Sequence, residues 1–240
     1  MSERLIDIKD LSTGYGGIPV VRGLNLHVNP GEVVALLGPN GAGKTTTLLT
    51  ISGILQPVSG EVNVLGSSTT GERPEKIARR GLAHVAEDRS LFFDLTVQEN
   101  LRLGLTPDRA KRAVAMENAL TMFPALRPLV NRRAGLLSGG EQQMLAMARG
   151  LASEPKVLLV DEMSLGLAPI IVERMLPIVR EIADKTGAGV LMVEQHVGLA
   201  LSVADRGYVM AHGELTMEGS AKELQANRAL LEASYLGGGH

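Results

Sequence analysis

The chain has 240 residues and a net charge of −2, enough for one large domain or for one domain with a small inserted subdomain. Aromatic residues make up only 2% of the sequence, without any Trp, which argues against base stacking as a main binding mode. The charge predicts no basic surface for nucleic acid. The absence of Cys excludes disulfides and thiolate metal sites.

The sequence contains no membrane-spanning or secretion signal. No apolar run approaches the roughly 20 residues that cross a bilayer. The first residues, Met1 to Arg4, do not begin a signal peptide. We therefore predict a cytosolic protein in which any membrane role comes through a partner.

The N-terminal part of the chain predicts a small antiparallel sheet. Short segments of alternating apolar and polar residues are typical of strands with one buried face. They lie at residues 5–8, 24–28 and 60–64. This sheet is expected to flank a larger core.

Residues 38–45 form a complete G-x-x-x-x-G-K-[ST] phosphate loop between an apolar run and a helix start. In such a loop, main-chain N–H groups and the positive end of the helix hold polyphosphate. Lys44 then reaches the outer phosphates and the Thr45 hydroxyl binds Mg²⁺. The alternative, a plain Gly-rich turn, is disfavoured by the strand-loop-helix context. The predicted nucleotide ligands are Gly38, Pro39, Asn40, Gly41, Ala42, Gly43, Lys44, Thr45 and Thr46.

Four apolar runs stop at residues that suit phosphate or metal chemistry. The runs are residues 33–37, 82–86, 157–160 and 190–193, and the residues after them are Gly38, Glu87, Asp161 with Glu162, and Glu194 with Gln195. If the strands are parallel, their carboxyl ends open on one crevice. Polar residues end many strands for structural reasons alone, but four such endings together predict a shared ligand site.

Between residues 88 and 137 the pattern becomes helical. Thr96 and Glu99 form a T-x-x-E capping box, and residues 108–122 are rich in Ala with charges on one face. Pro124 and Pro128 close this block. We predict an inserted helical subdomain.

A second candidate phosphate site precedes a strongly periodic helix. Ser138 and Glu141 fit an S-x-x-E capping box, so a plain helix cap is one interpretation. Each of the two glycines between them costs about 1 kcal/mol relative to Ala, which a purely structural cap does not need. Bare backbone beside a hydroxyl at a helix N-terminus suits a phosphate. We therefore predict that Ser138, Gly139 and Gly140 contact phosphate.

The C-terminal part predicts a hairpin over residues 208–215 and a short helix that begins at Ala221. Residues 236–240, which include three glycines, predict a frayed tail.

Residues 137–142, Leu-Ser-Gly-Gly-Glu-Gln, resemble the signature motif of the ABC ATPases, because they follow a phosphate loop and precede a strand that ends in Asp-Glu. The resemblance covers essentially the whole chain. Residues 135–146 and 164–169 resemble those of ATP-binding subunits of branched-chain amino-acid importers.

The resemblance implies an α/β fold of the P-loop NTPase type, with a RecA-like core of mainly parallel sheet, a small N-terminal antiparallel β subdomain and an inserted helical subdomain. Residues 1–240 would form a single ABC ATPase domain. Residues 1–87 and 153–240 would form the core with the β subdomain, and residues 88–152 the helical subdomain ending in the signature motif.

The resemblance also implies an ATPase that binds ATP and Mg²⁺ in a dimer, in which the signature of one subunit caps the γ-phosphate held by the phosphate loop of the other. The dimer would be a homodimer or a heterodimer with a paralogous ATPase. It would sit on the inner face of the cell membrane, bound to transmembrane permease subunits and served indirectly by an extracytoplasmic substrate-binding protein. No nucleic acid is expected as a partner.

Residue roles follow from the matching motifs. Asp161 would organise Mg²⁺ together with Thr45, and Glu162 resembles the catalytic glutamate that orients or deprotonates the attacking water. Lys44 would act on the phosphates. Tyr15 resembles the adenine-stacking aromatic of the family, and an ordinary exposed strand Tyr is its alternative.

Four positions depart from the family pattern. Glu87 stands where the family has Gln; a carboxylate also binds Mg²⁺, but the extra negative charge near Asp161 and Glu162 predicts abnormal titration. Counting ten residues back from Asp205 places Gln195, and not His196, at the switch position that donates to the γ-phosphate. His196 is then a loop or helix-start residue. Met163 replaces a Pro and Ala168 replaces an Asp, without removing a phosphate ligand.

Three alternatives remain open at this point. The chain could be a soluble ABC protein that acts on DNA or as a nucleotide-gated clamp, an exporter or other-cargo ABC ATPase, or a simple nucleotide kinase. A kinase leaves the signature unexplained, and the clamp proteins usually carry a long coiled-coil insertion, tandem ATPase halves or a basic face.

Overall fold

The computed structural model describes residues 4–105 and 109–227. Within these ranges, two sheets are surrounded by helices. The strands are β1 (Ile6–Tyr15), β2 (Ile18–Val28), β3 (Val33–Leu37), β4 (Pro57–Val64), β5 (Ser67–Ser68), β6 (Leu82–Val85), β7 (Val157–Asp161), β8 (Gly189–Glu194), β9 (Arg206–Ala211) and β10 (Glu214–Ser220).

The helices alternate with the strands of the larger sheet and cluster between β6 and β7. They are α1 (Lys44–Ile51), α2 (Pro74–Gly81), α3 (Val97–Gly104), α4 (Arg109–Met122), α5 (Gly139–Ala152), α6 (Pro169–Thr186), α7 (Val197–Leu201) and α8 (Ala221–Ala226). Two 3₁₀ turns, Pro124–Leu129 and Ala134–Leu136, connect α4 to α5.

The six-stranded sheet has the order β10-β9-β3-β8-β7-β6 and is parallel except for β10. The four strands whose endings suggested a common site, β3, β8, β7 and β6, are therefore consecutive neighbours. Their carboxyl ends lie at one edge of the sheet, as predicted. Helices connect these strands because parallel neighbours need crossover connections.

The central strands are buried on both faces, which is why they consist of continuous apolar residues. All five residues of β3 are buried. Val33, Ala35 and Leu37 pack into the cluster that contains α5 and α6, whereas Val34 and Leu36 pack into the opposite cluster with α1. The two cores pack against opposite faces of the sheet and so fix the position of the carboxyl ends of its strands.

The smaller sheet, with the order β2-β1-β4-β5, is antiparallel throughout. The predicted N-terminal antiparallel sheet is confirmed. Its buried side chains, among them Ile8, Leu26 and Val62, share a core with α1 and α2 on one face of the large sheet. The hairpin of β1 and β2 reaches toward the phosphate loop, which it contacts through Val21.

The stretch between β6 and β7 is helical, as predicted. The Thr96 capping box is present at the start of α3. The predicted helix over residues 108–122 corresponds to α4; Asp108 lies outside the described residues. The boundaries at residues 88 and 152 stay a prediction. None of the helices in the two described ranges combines the length and apolar character needed to span a bilayer.

The C-terminal predictions are confirmed for the hairpin and the helix. Strands β9 and β10 form the hairpin around His212 and Gly213, and α8 begins at Ala221. The predicted frayed tail, residues 236–240, lies outside the described residues.

Candidate functional site

The phosphate loop turns sharply between β3 and α1, and glycine is required at two of its positions. Gly38 has φ +155° and Gly43 has φ +98°. An added Cβ would lie 2.4 Å from the carbonyl oxygen of Met210 at Gly38, and 2.4 Å from Cγ2 of Val21 at Gly43. The loop can therefore follow this path only without side chains at these points.

A cavity of about 420 Å³ lies over the loop. Its size is within the range of small-molecule sites. It is lined by Tyr15, Val20, Asn40, Gly41, Gly43, Lys44, Thr45, Thr46, Glu87, Glu162 and Leu165. Nine of these eleven residues were predicted site residues, and the other two are Val20 and Leu165. A larger cavity of about 600 Å³, between α4 and the end of α6, contains none of the predicted residues.

Lys44 is folded back into the loop. Its Nζ donates to the carbonyl oxygens of Gly38 at 3.0 Å and Pro39 at 3.1 Å, and lies 3.3 Å from Oε1 of Glu162. The side chain of Lys44 is 3% exposed, so the loop carbonyls and Glu162 take the place of water around the ammonium group. A bound phosphate would replace some of these partners.

Thr45 lines the cavity and contacts Asp161 behind it. The Thr45 hydroxyl donates to Oδ1 of Asp161 at 3.2 Å, and Asp161 is 1% exposed at the end of β7. Burial raises the pKa of Asp161 to about 6, and the charges of Glu162 and Glu87 add to the shift. A buried carboxylate beside a hydroxyl is an oxygen donor set that fits Mg²⁺.

The three carboxylates were predicted to disturb one another's titration, and Asp161 shows this disturbance. Its largest cause, however, is burial and not the neighbouring charges. Glu87 is exposed and lies on the wall of the cavity, where it is accessible to a ligand.

Glu162 is held in an unusual backbone conformation. Its φ is +41°, which non-glycine residues rarely adopt. Its N–H donates to the carbonyl oxygen of Val193 on β8 at 3.0 Å, and its own carbonyl accepts from Leu165 at 3.0 Å. The tight turn directs the chain out of the sheet directly after Asp161, with Glu162 on the cavity wall.

Gln195 and His196 are both exposed and follow β8 directly. His196 is the N-cap of α7, without a side-chain capping bond, which confirms the prediction of a helix-start residue. Gln195 does not line the cavity. Its role at the γ-phosphate stays a prediction.

Tyr15 ends β1 and pairs with Ile18 across the tip of the hairpin. It is 53% exposed and lines the cavity beside Val20. Both interpretations made from the sequence, an exposed strand Tyr and a stacking partner for a base, are compatible with this position.

The signature residues lie outside the cavity of their own chain. Ser138 is the N-cap of α5, its Oγ accepts from the N–H of Glu141 at 3.4 Å, and its own N–H donates to the Glu141 carboxylate at 2.7 Å. The predicted capping box is confirmed. Ser138 and Gly139 are exposed, so this helix start forms a separate surface.

The two glycines after Ser138 differ in the space around them. An added Cβ at Gly140 would lie 3.1 Å from Cγ2 of Ile171 on α6, so a side chain there would require Ile171 to shift. At Gly139 the nearest atoms are 3.9 Å away, on Arg89 and Leu167, which is ordinary contact distance. The predicted phosphate contact of both glycines stays a prediction.

Comparisons with known proteins agree with this geometry. Residues 21–164 match the ABC transporter family. The chain belongs to the ABC transporter family. The high-affinity branched-chain amino acid transport ATP-binding protein BraG of Pseudomonas aeruginosa is 41% identical over 235 residues, covering 98% of this chain and 100% of BraG.

Two solved structures of ABC cassettes have the same fold. The ADP conformation of MJ1267, an ATP-binding cassette of an ABC transporter, has a TM-score of 0.85 at 25% identity and covers 98% of this chain and 100% of that chain. The dimeric post-hydrolysis state of the cassette MJ0796, bound to ADP and phosphate, has a TM-score of 0.81 at 25% identity, with coverage of 90% and 98%.

This ABC transporter subunit is an ATPase: it binds ATP and hydrolyses it to ADP and phosphate, and the hydrolysis is coupled to transport. The predicted α/β P-loop fold is confirmed. The two departures in the segment after Asp161 lie in different surroundings. Met163 is buried in the core, and Ala168 is the N-cap of α6 without a side-chain capping bond.

Sequence reasoning missed one residue of this ABC ATPase that contacts the turn after Asp161. Glu194 was noted only as a strand ending, but it is 1% exposed and accepts two hydrogen bonds from Ser164. The sequence did contain a signal for this contact. Glu194 ends an apolar run that predicts a fully buried strand, and a buried carboxylate without a hydrogen-bond partner would be costly.

Proposed function

We propose that this chain is the ATPase subunit of an importer for branched-chain or related hydrophobic amino acids. The name of its relative BraG, a branched-chain amino acid transport protein that matches over its full length, supports the cargo class. The observation that carries the catalytic part is the convergence of Lys44, Thr45 and Glu162 in one cavity over the phosphate loop.

In the proposed mechanism the loop from Gly38 to Thr46 binds the phosphates of ATP. Its main-chain contribution comes from Pro39, Asn40, Gly41, Ala42 and Gly43. Lys44 exchanges its contacts with the loop carbonyls and Glu162 for contacts with the outer phosphates. Because phosphoryl transfer requires mainly positioning and charge stabilisation, this exchange is the main contribution of Lys44.

Thr45 and Asp161 would hold Mg²⁺, and Glu87 is the further candidate on the cavity wall. The support is the hydroxyl–carboxylate contact at 3.2 Å between Thr45 and the buried Asp161. Magnesium supplies neutralisation of the phosphate charges.

Glu162 orients the attacking water and accepts its proton, and Gln195 donates its side-chain N–H to the γ-phosphate. The support for Glu162 is its place on the cavity wall next to Lys44. Tyr15, half exposed at the mouth of the cavity, stacks on the adenine.

The active unit is a dimer, with either a second copy or a paralogous ATPase. Ser138, Gly139 and Gly140 lie outside the cavity of their own chain, and the first two are exposed. They are therefore available to the nucleotide of a partner subunit. The dimeric structure of the related cassette MJ0796 supports this arrangement.

The subunit works at the inner face of the cell membrane, bound to transmembrane permease subunits that receive cargo from an extracytoplasmic binding protein. Support comes from an exposed apolar patch on the helical side. Phe92 is 56% exposed, Phe93 53% and Leu136 63%, and the Phe93 carbonyl accepts from the N–H of Gly135 beside Leu136. Patches of this kind mark protein contact sites.

Copurification tests the proposal. The subunit is co-expressed with candidate permease and binding-protein genes from the same genome, extracted in detergent and reconstituted in vesicles with the binding protein. We expect polytopic subunits to copurify and leucine to stimulate ATP hydrolysis more than a charged amino acid does. The double variant Phe92→Ser, Phe93→Ser is expected to lose the permease.

The matched control is Ile54→Ser, which removes an equally exposed apolar side chain elsewhere, 56% exposed, and should keep the permease. ATP hydrolysis that is stimulated by DNA and proceeds without any membrane subunit would contradict the importer.

A further inference from the structure

Glu194 is a buried carboxylate that faces the turn after β7. It is the last residue of β8, which lies between β3 and β7 in the sheet, and it is 1% exposed. Its Oε1 accepts from the N–H of Ser164 at 3.1 Å and its Oε2 accepts from the Ser164 hydroxyl at 2.6 Å. Within the described residues, it forms no ion pair with a Lys or Arg.

The turn that Glu194 contacts contains Glu162. Glu162 has φ +41°, a conformation that persists in a non-glycine residue only when surrounding contacts enforce it. The N–H of Glu162 donates to the carbonyl of Val193, the residue immediately before Glu194. Two consecutive residues of β8 therefore hold the turn, one through its backbone and one through its side chain.

Gln195 follows these two anchors directly. Any displacement of the end of β8 would thus move Gln195 and the Glu162 turn together. A carboxylate suits this position because, when ionised, its two oxygens accept both Ser164 hydrogen bonds at once. Burial raises the pKa of Glu194, and the hydrogen bonds from Ser164 act in the opposite direction.

We propose that Glu194 is a positioning residue for ATP hydrolysis, which holds the Glu162 turn against β8 through Ser164. The proposal rests on the role of Glu162 given under Proposed function. Glu194 does not line the nucleotide cavity, so it acts on the reaction through its neighbours and leaves nucleotide binding to the phosphate loop.

Four variants test this: Glu194→Ala, Glu194→Gln, Ser164→Ala and the double Ala variant. Steady-state ATP hydrolysis is measured at temperatures where each variant is folded, together with calorimetric binding of MgADP. A misplacement of about 1 Å in a catalytic group can cost about 10²-fold in rate. We expect kcat to fall by about that factor in Glu194→Ala, with the KM for ATP and the Kd for MgADP unchanged.

The pattern among the variants separates positioning from general destabilisation. Ser164→Ala keeps the main-chain N–H that donates to Glu194, so its kcat should fall less than that of Glu194→Ala. The double variant should match Glu194→Ala because the two side chains act as one unit. Glu194→Gln keeps one acceptor oxygen and should recover part of the rate. Tyr208→Phe is the control, because it removes a buried hydroxyl that accepts from Arg206 on the same strand, β9, which β3 separates from β8.

Several outcomes would overturn the proposal. They are an unchanged kcat in Glu194→Ala, a parallel weakening of MgADP binding, or a rate loss that follows melting temperature as it does in Tyr208→Phe. If Glu194→Ala does not fold, Ser164→Ala and Glu194→Gln carry the test. Glu162→Gln is measured alongside: full turnover there overturns the assignment of Glu162, whereas slow turnover there with normal Glu194 and Ser164 variants overturns the present proposal alone.

Discussion

Lys44 and Glu162 contact each other across the nucleotide cavity, with 3.3 Å between Nζ and Oε1. Both side chains are largely buried, at 3% and 11% exposed. The ammonium group that should bind phosphate and the carboxylate that should activate water therefore neutralise each other in this structure. In the proposed mechanism ATP binding separates them, which links the arrival of the phosphate to the release of Glu162.

The variant Glu162→Gln tests this linkage. Turnover should fall by 10²-fold or more, since general-base catalysis contributes about 10²–10⁴. ATP should bind at least as tightly as to the wild type, because Lys44 loses a competing partner. Single-turnover hydrolysis and calorimetry with MgATP measure the two effects. Retention of full turnover would show that Glu162 is not the base.

A second prediction compares two adjacent residues after β8. Gln195→Ala should slow ATP turnover more than His196→Ala, because the count from Asp205 predicts Gln195 at the switch position, whereas His196 is the N-cap of α7. Both side chains are exposed, so both variants should keep the stability of the wild type. Steady-state hydrolysis at saturating MgATP is the measurement. Equal losses, or the reverse order, would refute the alignment.

Asp161 should make the metal-free protein less stable as the pH rises. Its pKa is about 6 in the fold and 3.8 ordinarily, so between these values the folded state binds a proton that the unfolded chain has lost. Stability from this group is present below about pH 4 and is lost as the pH rises through about 6. Asp161→Asn removes that loss.

Chemical denaturation in EDTA from pH 4 to 7.5 measures this effect. The variant should become more stable relative to the wild type across the window, by on the order of 3 kcal/mol at the upper end. A difference that does not depend on pH would contradict the prediction.

His84 should make the stability of the fold depend on pH in the opposite direction. It lies on β6, its Nε2 is buried without a hydrogen-bond partner in the described part of the chain, and burial lowers its pKa from 6.5 to about 4. Between pH 6.5 and 4 the His84 imidazole is protonated in the unfolded chain but not in the folded state. The stability of the fold therefore falls as the pH falls. His84→Leu should reduce this acid-induced loss.

Melting temperatures at pH 6.5 and 5 for wild type and His84→Leu provide the measurement. His212→Asn serves as the control, because His212 is exposed in the hairpin turn at φ +51°, which Asn tolerates. An equal reduction in the control would assign the acid sensitivity to histidine content in general.

The arrangement of the sheet was predictable because its signals are local. Each apolar run stops at a residue that suits phosphate or metal chemistry, and the parallel pairing of β3, β8, β7 and β6 brings these residues to one edge of the sheet. The phosphate loop and the two predicted capping boxes, at Thr96 and Ser138, are likewise defined by residues a few positions apart in the sequence. Most of the cavity wall therefore followed from motifs.

Contacts between distant segments were not predictable in the same way. The carboxylate of Glu194 bonds to Ser164, 30 positions away in the sequence, and Gly140 lies against a side chain on α6. Such contacts depend on how closely the helices and strands pack side by side, and a short sequence motif does not contain that information. The pairing of Lys44 with Glu162 was also not predicted from the sequence, because the motif describes the loop with phosphate bound.

The left-handed backbone at Glu162 limits how its chemistry can be dissected. β-branched residues are strongly disfavoured at φ +41°, whereas Gly and Asn adopt such angles with little cost. A Val or Thr at this position would disturb the turn as well as remove the carboxylate, and its inactivity would be uninformative. Glu162→Asn and Glu162→Gly change the functional group while leaving the backbone in a region that these residues accept.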